Sequence, residues 1–254
     1  MQELRFDKTK VAEYREAATK LHESLSAADK RMDAAIENGD KAAAQAALDE
    51  ATASGEAFKA LRSTLSRTDL FVAKYNIQVH GPHEVSFVLP RGVSRYDMIL
   101  EAHALVAERD GRDLVYPNDL KRWGDDARLT ASCESPERIQ IDGHVQGGDE
   151  KTRTQQEKFL TTKGLEQAQL EDLAAAFVAN YVATGEDLFE GQWVRAVGGA
   201  LHFLSHGLYV RGIDDGVSLS HVAVASRVRP ELKKLDSWSL GSWLPWFLDP
   251  AKRG

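Results

Sequence analysis

The sequence has few of the residues that stabilise or constrain a chain by special chemistry. Of its 254 residues, one is cysteine, seven are proline and 19 are glycine. The single cysteine, Cys133, excludes an internal disulfide and is typical of a reducing compartment. So little glycine and proline excludes a collagen-like chain and argues against wholesale disorder. With 43% hydrophobic and 28% charged residues, the composition is that of an ordinary globular protein.

Long hydrophobic runs and basic clusters are also absent. No run of 18 apolar residues occurs, so the sequence predicts no membrane-spanning helix, and the first ten residues lack the apolar core of a secretory signal. A cytoplasmic protein is therefore expected. The formal net charge is −7, from 32 basic and 39 acidic residues, without a cluster of four or more Lys or Arg. Because nucleic-acid binding through phosphate contacts needs a basic surplus, that function is disfavoured.

The common motifs of nucleotide and nucleophile chemistry are missing too. There is no G-x-S-x-G nucleophile turn, no G-x-x-x-x-G-K-[ST] phosphate loop and no G-x-G-x-x-G turn. The surroundings of Cys133 match no catalytic cysteine motif, and a lone cysteine is usually a small buried hydrophobe. The sequence therefore predicts no cofactor.

Residues 1–67 predict an antiparallel pair of long helices. Heptad spacing, typical of coiled coils, runs through the first segment at Val11, Tyr14, Ala18, Leu21, Leu25, Ala28, Met32 and Ala35. Asn38-Gly39 predicts the end of this helix, and Asp40 is a natural N-cap for the next. The same spacing returns at Ala44, Ala47, Ala51, Ser54, Phe58, Leu61 and Leu65. We therefore predict a coiled-coil-like helical hairpin, with Leu21, Leu25, Phe58 and Leu61 as its contact residues.

Residues 68–230 predict a mixed α+β domain with a mainly antiparallel sheet. The alternation of apolar and polar residues predicts strands over 73–79, 85–89, 128–133, 137–146, 193–197, 200–210 and 220–228. Helical periodicity predicts a helix between Ser94 and Gly111, a short one over 118–123, and two more over 152–162 and 167–184. The last of these is expected to be strongly amphipathic.

Residues 231–254 form a tail rich in tryptophan. Trp238, Trp243 and Trp246 are three of the five tryptophans in the chain. Because aromatic side chains dominate interface energetics and free tails are normally polar, this segment predicts a contact. Three alternatives are open: the tail covers its own core, docks on a neighbouring subunit or partner, or inserts into a membrane surface.

Two groups of residues suggest chemistry. Asp142 and His144 alternate along a predicted strand, as a general base with its orienting partner or two metal ligands would. His202 and His206 are four residues apart and could share a metal with His221 and Asp214 or Asp215. The other interpretation of both groups is a solvated strand face with hydrogen-bonded histidines. Likewise, His80 and His83 flank a turn and are expected to be solvated.

The heptad pattern and the tryptophan-rich tail, which are typical of contact surfaces, are stronger signals in this sequence than any group of reactive residues. We therefore hypothesise a non-enzymatic assembly or partner-binding protein that acts through the hairpin and the aromatic tail, by self-association or with a protein partner. The alternative hypothesis is a metal-dependent or acid–base hydrolase that uses Asp142 and His144 with His202 and His206.

Overall fold

The protein has an α+β fold, as predicted. A computed structural model describes residues 4–148, 151–189, 191–204, 207–211 and 222–227. Several residues singled out in the sequence lie outside the described residues, namely His206, Asp214, Asp215, His221 and the tryptophan-rich tail. The chain divides into two compact units, of which the first is Phe6–Ala73 and the second comprises the rest of the chain.

The elements follow one another along the described chain in this order: α1 (Lys8–Glu37), α2 (Lys41–Arg62), α3 (Arg67–Lys74), β1 (Gln78–Val79), β2 (Glu84–Leu89), α4 (Arg95–Asp110), α5 (Pro117–Gly124), α6 (Ala127–Thr130), β3 (Glu137–Asp142), α7 (Arg153–Thr162), β4 (Glu166–Gln167), α8 (Leu170–Thr184), β5 (Trp193–Ala196), β6 (Gly199–Leu204), β7 (Gly207–Arg211), β8 (Val222–Val224) and β9 (Ser226–Arg227).

The first unit contains the predicted pair of helices, α1 and α2. Asp7 caps α1 by accepting the backbone N–H groups of Thr9 and Lys10. Asp40 caps α2 in the same way, after a turn in which Gly39 adopts the left-handed conformation that glycine tolerates best. The chain therefore reverses direction between two capped helix ends.

The predicted faces of α1 and α2 meet. All the predicted seam positions are buried or half-buried. The ring of Tyr14 stacks on that of Phe58 with centroids 4.9 Å apart, and the hydroxyls of Ser24 and Ser54 lie 3.1 Å apart. Alanines occupy much of this seam, so the helices bury little apolar area between them.

Two sheets form the framework of the second unit. The first has the strand order β1-β2-β3-β9-β4, and every neighbouring pair is antiparallel. The second has the order β7-β6-β5-β8, with β5 and β8 parallel and the other pairs antiparallel.

Helix α8 is the centre of the second unit. It contacts α4, β2, β3, β5 and β6, and every one of its residues except Glu171 is buried. The prediction that this helix is strongly amphipathic is therefore wrong. The alanines and small polar residues of α8 are compatible with a solvent-exposed face, but neighbouring elements enclose them on all sides. This enclosure depends on the tertiary structure and is not visible in the periodicity of the helix.

Five predicted strands differ from those observed. Of the predicted strand 73–79, only Gln78–Val79 is a strand, β1, and the first two residues belong to α3. The predicted strand 137–146 ends at Asp142, and the described part of 220–228 is two strands, β8 and β9, rather than one.

Residues 67–74 form α3 because Ser66 and Asp69 bond reciprocally: the Ser66 hydroxyl accepts the Asp69 N–H at 3.0 Å, and the Asp69 carboxylate accepts the Ser66 N–H at 2.9 Å. Residues 127–130 form α6, capped by Asp126, rather than part of a strand over 128–133. The segment 200–210 is two strands, β6 and β7, rather than one.

Candidate functional site

Asp142 and His144 lie at the end of β3 rather than on one face of a longer strand. The strand ends at Asp142, and the next two residues form a bend. The Asp142 Oδ1 atom accepts the backbone N–H of His144 at 2.9 Å. This local bond turns the chain at the point where the predicted strand 137–146 would continue. Burial raises the pKa of the Asp142 carboxyl above its ordinary value.

A third residue, His83, joins this pair from the turn between β1 and β2. The pairing of β2 with β3 sets Glu84 opposite Asp142, and the backbone N–H of Gly143 donates to the His83 carbonyl at 2.7 Å. The rings of His83 and His144 lie with centroids 5.3 Å apart. Because a carbonyl only accepts, the His83 Nδ1 atom donates to the Leu188 carbonyl at 3.1 Å, which fixes the orientation of its ring.

The loop between α8 and β5 covers this end of β3. Its Asp187 carboxylate accepts the N–H groups of Phe189 at 2.8 Å and Gly191 at 2.7 Å. Burial raises the pKa of the Asp187 carboxyl. The loop approaches Gly143 so closely that a Cβ atom there would lie 2.8 Å from the Leu188 Cγ atom. Only glycine fits at this position without displacing the loop.

His202 holds the same loop from β6. Its Nε2 atom donates to the Gly191 carbonyl at 2.9 Å, and its ring stacks on Trp193 with centroids 5.0 Å apart. Its Nδ1 atom is buried and has no hydrogen-bond partner among the described residues. We call the set His83, Asp142, His144, Asp187 and His202 the His–Asp cluster, since the imidazoles of His83 and His202 act electrostatically on Asp187, and those of His83 and His144 on Asp142.

The cluster offers proton donors and acceptors rather than a metal site. Within the described ranges, no three His, Cys, Asp or Glu side chains are arranged to hold a metal ion. His80, the other histidine of the β1–β2 turn, bonds instead to the Ser86 hydroxyl at 2.8 Å. Asp187 was not among the predicted site residues, and His83 was predicted to be solvated. Neither lies near Asp142 in the sequence: the pairing of β2 with β3 brings in His83, and the packing of the α8–β5 loop on Gly143 brings in Asp187.

The predicted contact residues of the hairpin are among the half-buried positions of α1 and α2. Leu21, Leu25, Phe58 and Leu61 are each half-buried. Sequence reasoning missed two further apolar residues on the outer surface: Ile36 is 64% exposed and Leu48 is 49% exposed. Their signal in the sequence is large apolar side chains outside the heptad positions. Among the described residues, they are the two most exposed large hydrophobics.

The end of the hairpin nearest the α1–α2 turn also carries a surface cavity of about 430 Å³. Five alanines are among its lining residues, namely Ala34, Ala35, Ala43, Ala46 and Ala47. Arg31 on α1 and Glu50 on α2 also line it and form an ion pair of 2.8 Å between the two helices. We call this the alanine cavity.

Comparisons with protein-family models, with curated proteins and with solved structures find no match for this chain. Among the residues that the structure describes, no helix combines the length and apolar character needed to cross a bilayer.

Proposed function

We propose that this protein is a non-enzymatic assembly protein that associates with further copies of itself through the helical hairpin. The observation that supports this proposal is the exposure of apolar surface on the hairpin. Ile36 and Leu48 face solvent, and the seam residues Leu21 and Leu25 are only half-buried. Fully burying one such side chain contributes about 1.5 to 3 kcal/mol, which would offset part of the entropy lost when two copies associate.

The geometry and charge of the hairpin also favour self-association. A pair of helices buries one seam and leaves its outer faces uncovered, whereas four helices enclose a common core. The first 67 residues carry 11 basic and 12 acidic side chains, so most of the net charge of −7 lies in the rest of the chain. Two hairpins can therefore approach each other without strong net repulsion.

The test combines light scattering with hydrogen exchange on the full chain. We expect the average mass to rise with protein concentration, and the amides of residues 8–62 to exchange more slowly at high concentration than at low. Amides of β2 and β3 provide the internal control, since their exchange should not change. A chain that stays monomeric, or protection that is confined to residues 74–227, would refute the proposal.

A second candidate function is acid–base hydrolysis at the His–Asp cluster. It is supported by the pairing of the His83 and His144 rings beside Asp142, whose pKa burial raises. A carboxyl with a raised pKa can donate a proton nearer neutral pH, and an adjacent imidazole can accept one.

This second candidate is tested with activated esters such as p-nitrophenyl acetate and bis-p-nitrophenyl phosphate. We expect Asp142→Asn to lower any hydrolysis at least about ten-fold. The matched control is Asp113→Asn, because Asp113 also lies beside an imidazole, 3.5 Å from His103, but outside the cluster. Equal loss in both variants, or no hydrolysis by the wild-type chain, would exclude this function for these substrates.

A further inference from the structure

One buried cation of the second unit forms no ion pair with the described residues. Arg195, in β5, is 5% exposed, and it is the one buried lysine or arginine that the structure describes. Its guanidinium makes a single hydrogen bond with the described residues, from Nη1 to the Gln156 Oε1 atom at 2.7 Å. We propose that Arg195 is the base of a binding site for an oxyanion, a phosphate or carboxylate group of a small molecule.

The cost of burying a charge is the first argument for this site. A buried ion is normally paired, because its removal from water is costly unless an opposite charge and further hydrogen bonds offset it. The half-buried Arg95 of α4 follows this rule by pairing with Asp172 and Glu137. Arg195 is more deeply buried, yet its hydrogen-bond partner is a neutral amide, and its Nε atom is buried without a partner. The folded chain therefore holds a buried cation that no described carboxylate pairs with.

Gln156 of α7 holds the guanidinium in a fixed position. Its side chain is fully buried, and its Nε2 atom donates to the Gly148 carbonyl at 2.9 Å. Because a carbonyl only accepts, this bond orients the amide so that Oε1 faces Arg195. Gln156 bonds to Nη1, so the edge formed by Nε–H and Nη2–H has no partner among the described residues. Two such parallel donors match two oxygens of one phosphate or carboxylate.

The surroundings of Arg195 add positive charge. Burial lowers the pKa of the Arg195 guanidinium, and the charge of Arg153, at the start of α7, lowers it further. Glu157 acts in the opposite sense but also forms an ion pair of 3.0 Å with Arg153. Since arginine stays protonated at neutral pH, the three side chains together carry one positive charge in excess. The Arg153 side chain is 53% exposed, so an anion can reach this end of α7 from solvent.

The test is a titration of the full chain with sodium phosphate at neutral pH, with sodium chloride added to keep the ionic strength constant. The two readouts are thermal unfolding and NMR of protein made with isotope-labelled arginine. We expect the unfolding temperature to rise by about 3 to 6 °C when phosphate is at about ten times its dissociation constant. The Nε–H signal of Arg195, identified by its absence from the spectrum of Arg195→Lys, should shift with the same dissociation constant.

Three variants separate this site from the general effect of phosphate on stability. Arg195→Met removes the cation and should show only the smaller rise that phosphate causes through its exclusion from protein surfaces. The matched control is Arg138→Met, because Arg138 of β3 also donates to a glutamine amide, that of Gln78 at 3.3 Å, but is only half-buried. This control should respond like the wild type. Arg195→Lys keeps the charge but loses the planar pair of donors, and should bind phosphate at least about ten-fold more weakly.

A parallel titration with acetate identifies the class of ligand. A response to phosphate alone assigns the site to phosphorylated molecules, and a response to acetate of equal strength assigns it to carboxylates. An Arg195 signal that moves in neither titration would overturn the inference, as would a phosphate response that Arg195→Met retains in full. If Arg195→Met does not fold, the NMR titration of the wild type still decides. None of these readouts requires self-association, so the result is independent of the function proposed for the hairpin.

Discussion

At the scale of single residues, the fold shifts the pKa values of two aspartates in opposite directions. Burial raises the pKa of Asp142 above its ordinary value of 3.8. The hydrogen bond and charge of Arg128 lower the pKa of Asp126, whose carboxylate accepts from the Arg128 guanidinium at 2.6 Å. The folded state therefore binds a proton at Asp142 more tightly than the unfolded chain does, and a proton at Asp126 less tightly.

These two shifts predict opposite effects of replacing each aspartate by asparagine. With a raised pKa, the contribution of Asp142 to stability is complete below pH 3.8 and is lost as pH rises through its folded pKa. Asp142→Asn, which keeps an oxygen to accept the His144 N–H, should therefore gain stability relative to wild type as pH rises from acid to neutral. Asp126→Asn should lose stability over the same interval, because a lowered pKa contributes only above 3.8. Urea unfolding at a series of pH values measures both, and shifts of the same sign would contradict the prediction.

The residues of the His–Asp cluster mark the limit of what local sequence can reveal. Asp142 and His144 could be singled out because they are near neighbours in the chain. His83 and Asp187 could not be singled out in this way. The register of β2 on β3 brings His83 to Asp142 and His144, and Asp187 belongs to a loop that packs on Gly143. Such contacts depend on long-range pairing, which apolar periodicity does not encode.

At the scale of elements, a charged network joins the ends of four of them. Asp172 in α8 is 1% exposed on its side chain and accepts from Arg95 of α4 at 2.6 Å. Arg227 of β9 lies 3.3 Å from the other Asp172 oxygen, and Glu137 of β3 pairs with both arginines. Opposite charges in good geometry offset the cost of removing these groups from water.

Removing one member of this network should be strongly destabilising. We expect Asp172→Asn to lower the free energy of unfolding by about 3 kcal/mol, because two guanidinium groups then share a single carboxylate in a buried site. Urea denaturation measures the change. The control is Glu16→Gln, which removes a carboxylate from the exposed ion pair with Lys20 and should leave stability unchanged. Equal effects of the two substitutions would mean that burial does not set the strength of this network.

Elements were predictable where the signal is local. The hairpin helices have a long heptad pattern and an Asn-Gly turn, and α4 has a serine cap with a periodic apolar face, so all three were predicted. The helix α3 was missed because its apolar residues are consecutive over 70–73 and lead into the alternating segment 73–79. The helix α6 was missed because Ala127 and Leu129 alternate like the residues of a strand, although Asp126 caps it.

At the scale of the whole molecule, the fold class followed from the order of helical and alternating segments, but the strand order did not. The strand β9, near the end of the described chain, lies between β3 and β4 in the first sheet. The second sheet combines an antiparallel set with one parallel strand, β8. Neither arrangement has a signature in composition or spacing, because several pairings bury the same apolar residues.

The tryptophan-rich tail, residues 231–254, is predicted to contribute to the association of whole molecules. Trp238, Trp243 and Trp246 lie outside the described residues, and their docking on another molecule stays a prediction. Replacing all three by alanine in the full chain should weaken association at least about ten-fold, since buried tryptophans are among the strongest contributors to interfaces. Light scattering at matched concentrations measures this, and replacing Ser237, Ser239 and Ser242 by alanine in the same segment is the control. If the tail instead covers its own core, the tryptophan variant will unfold at a lower temperature while its mass matches that of the wild type.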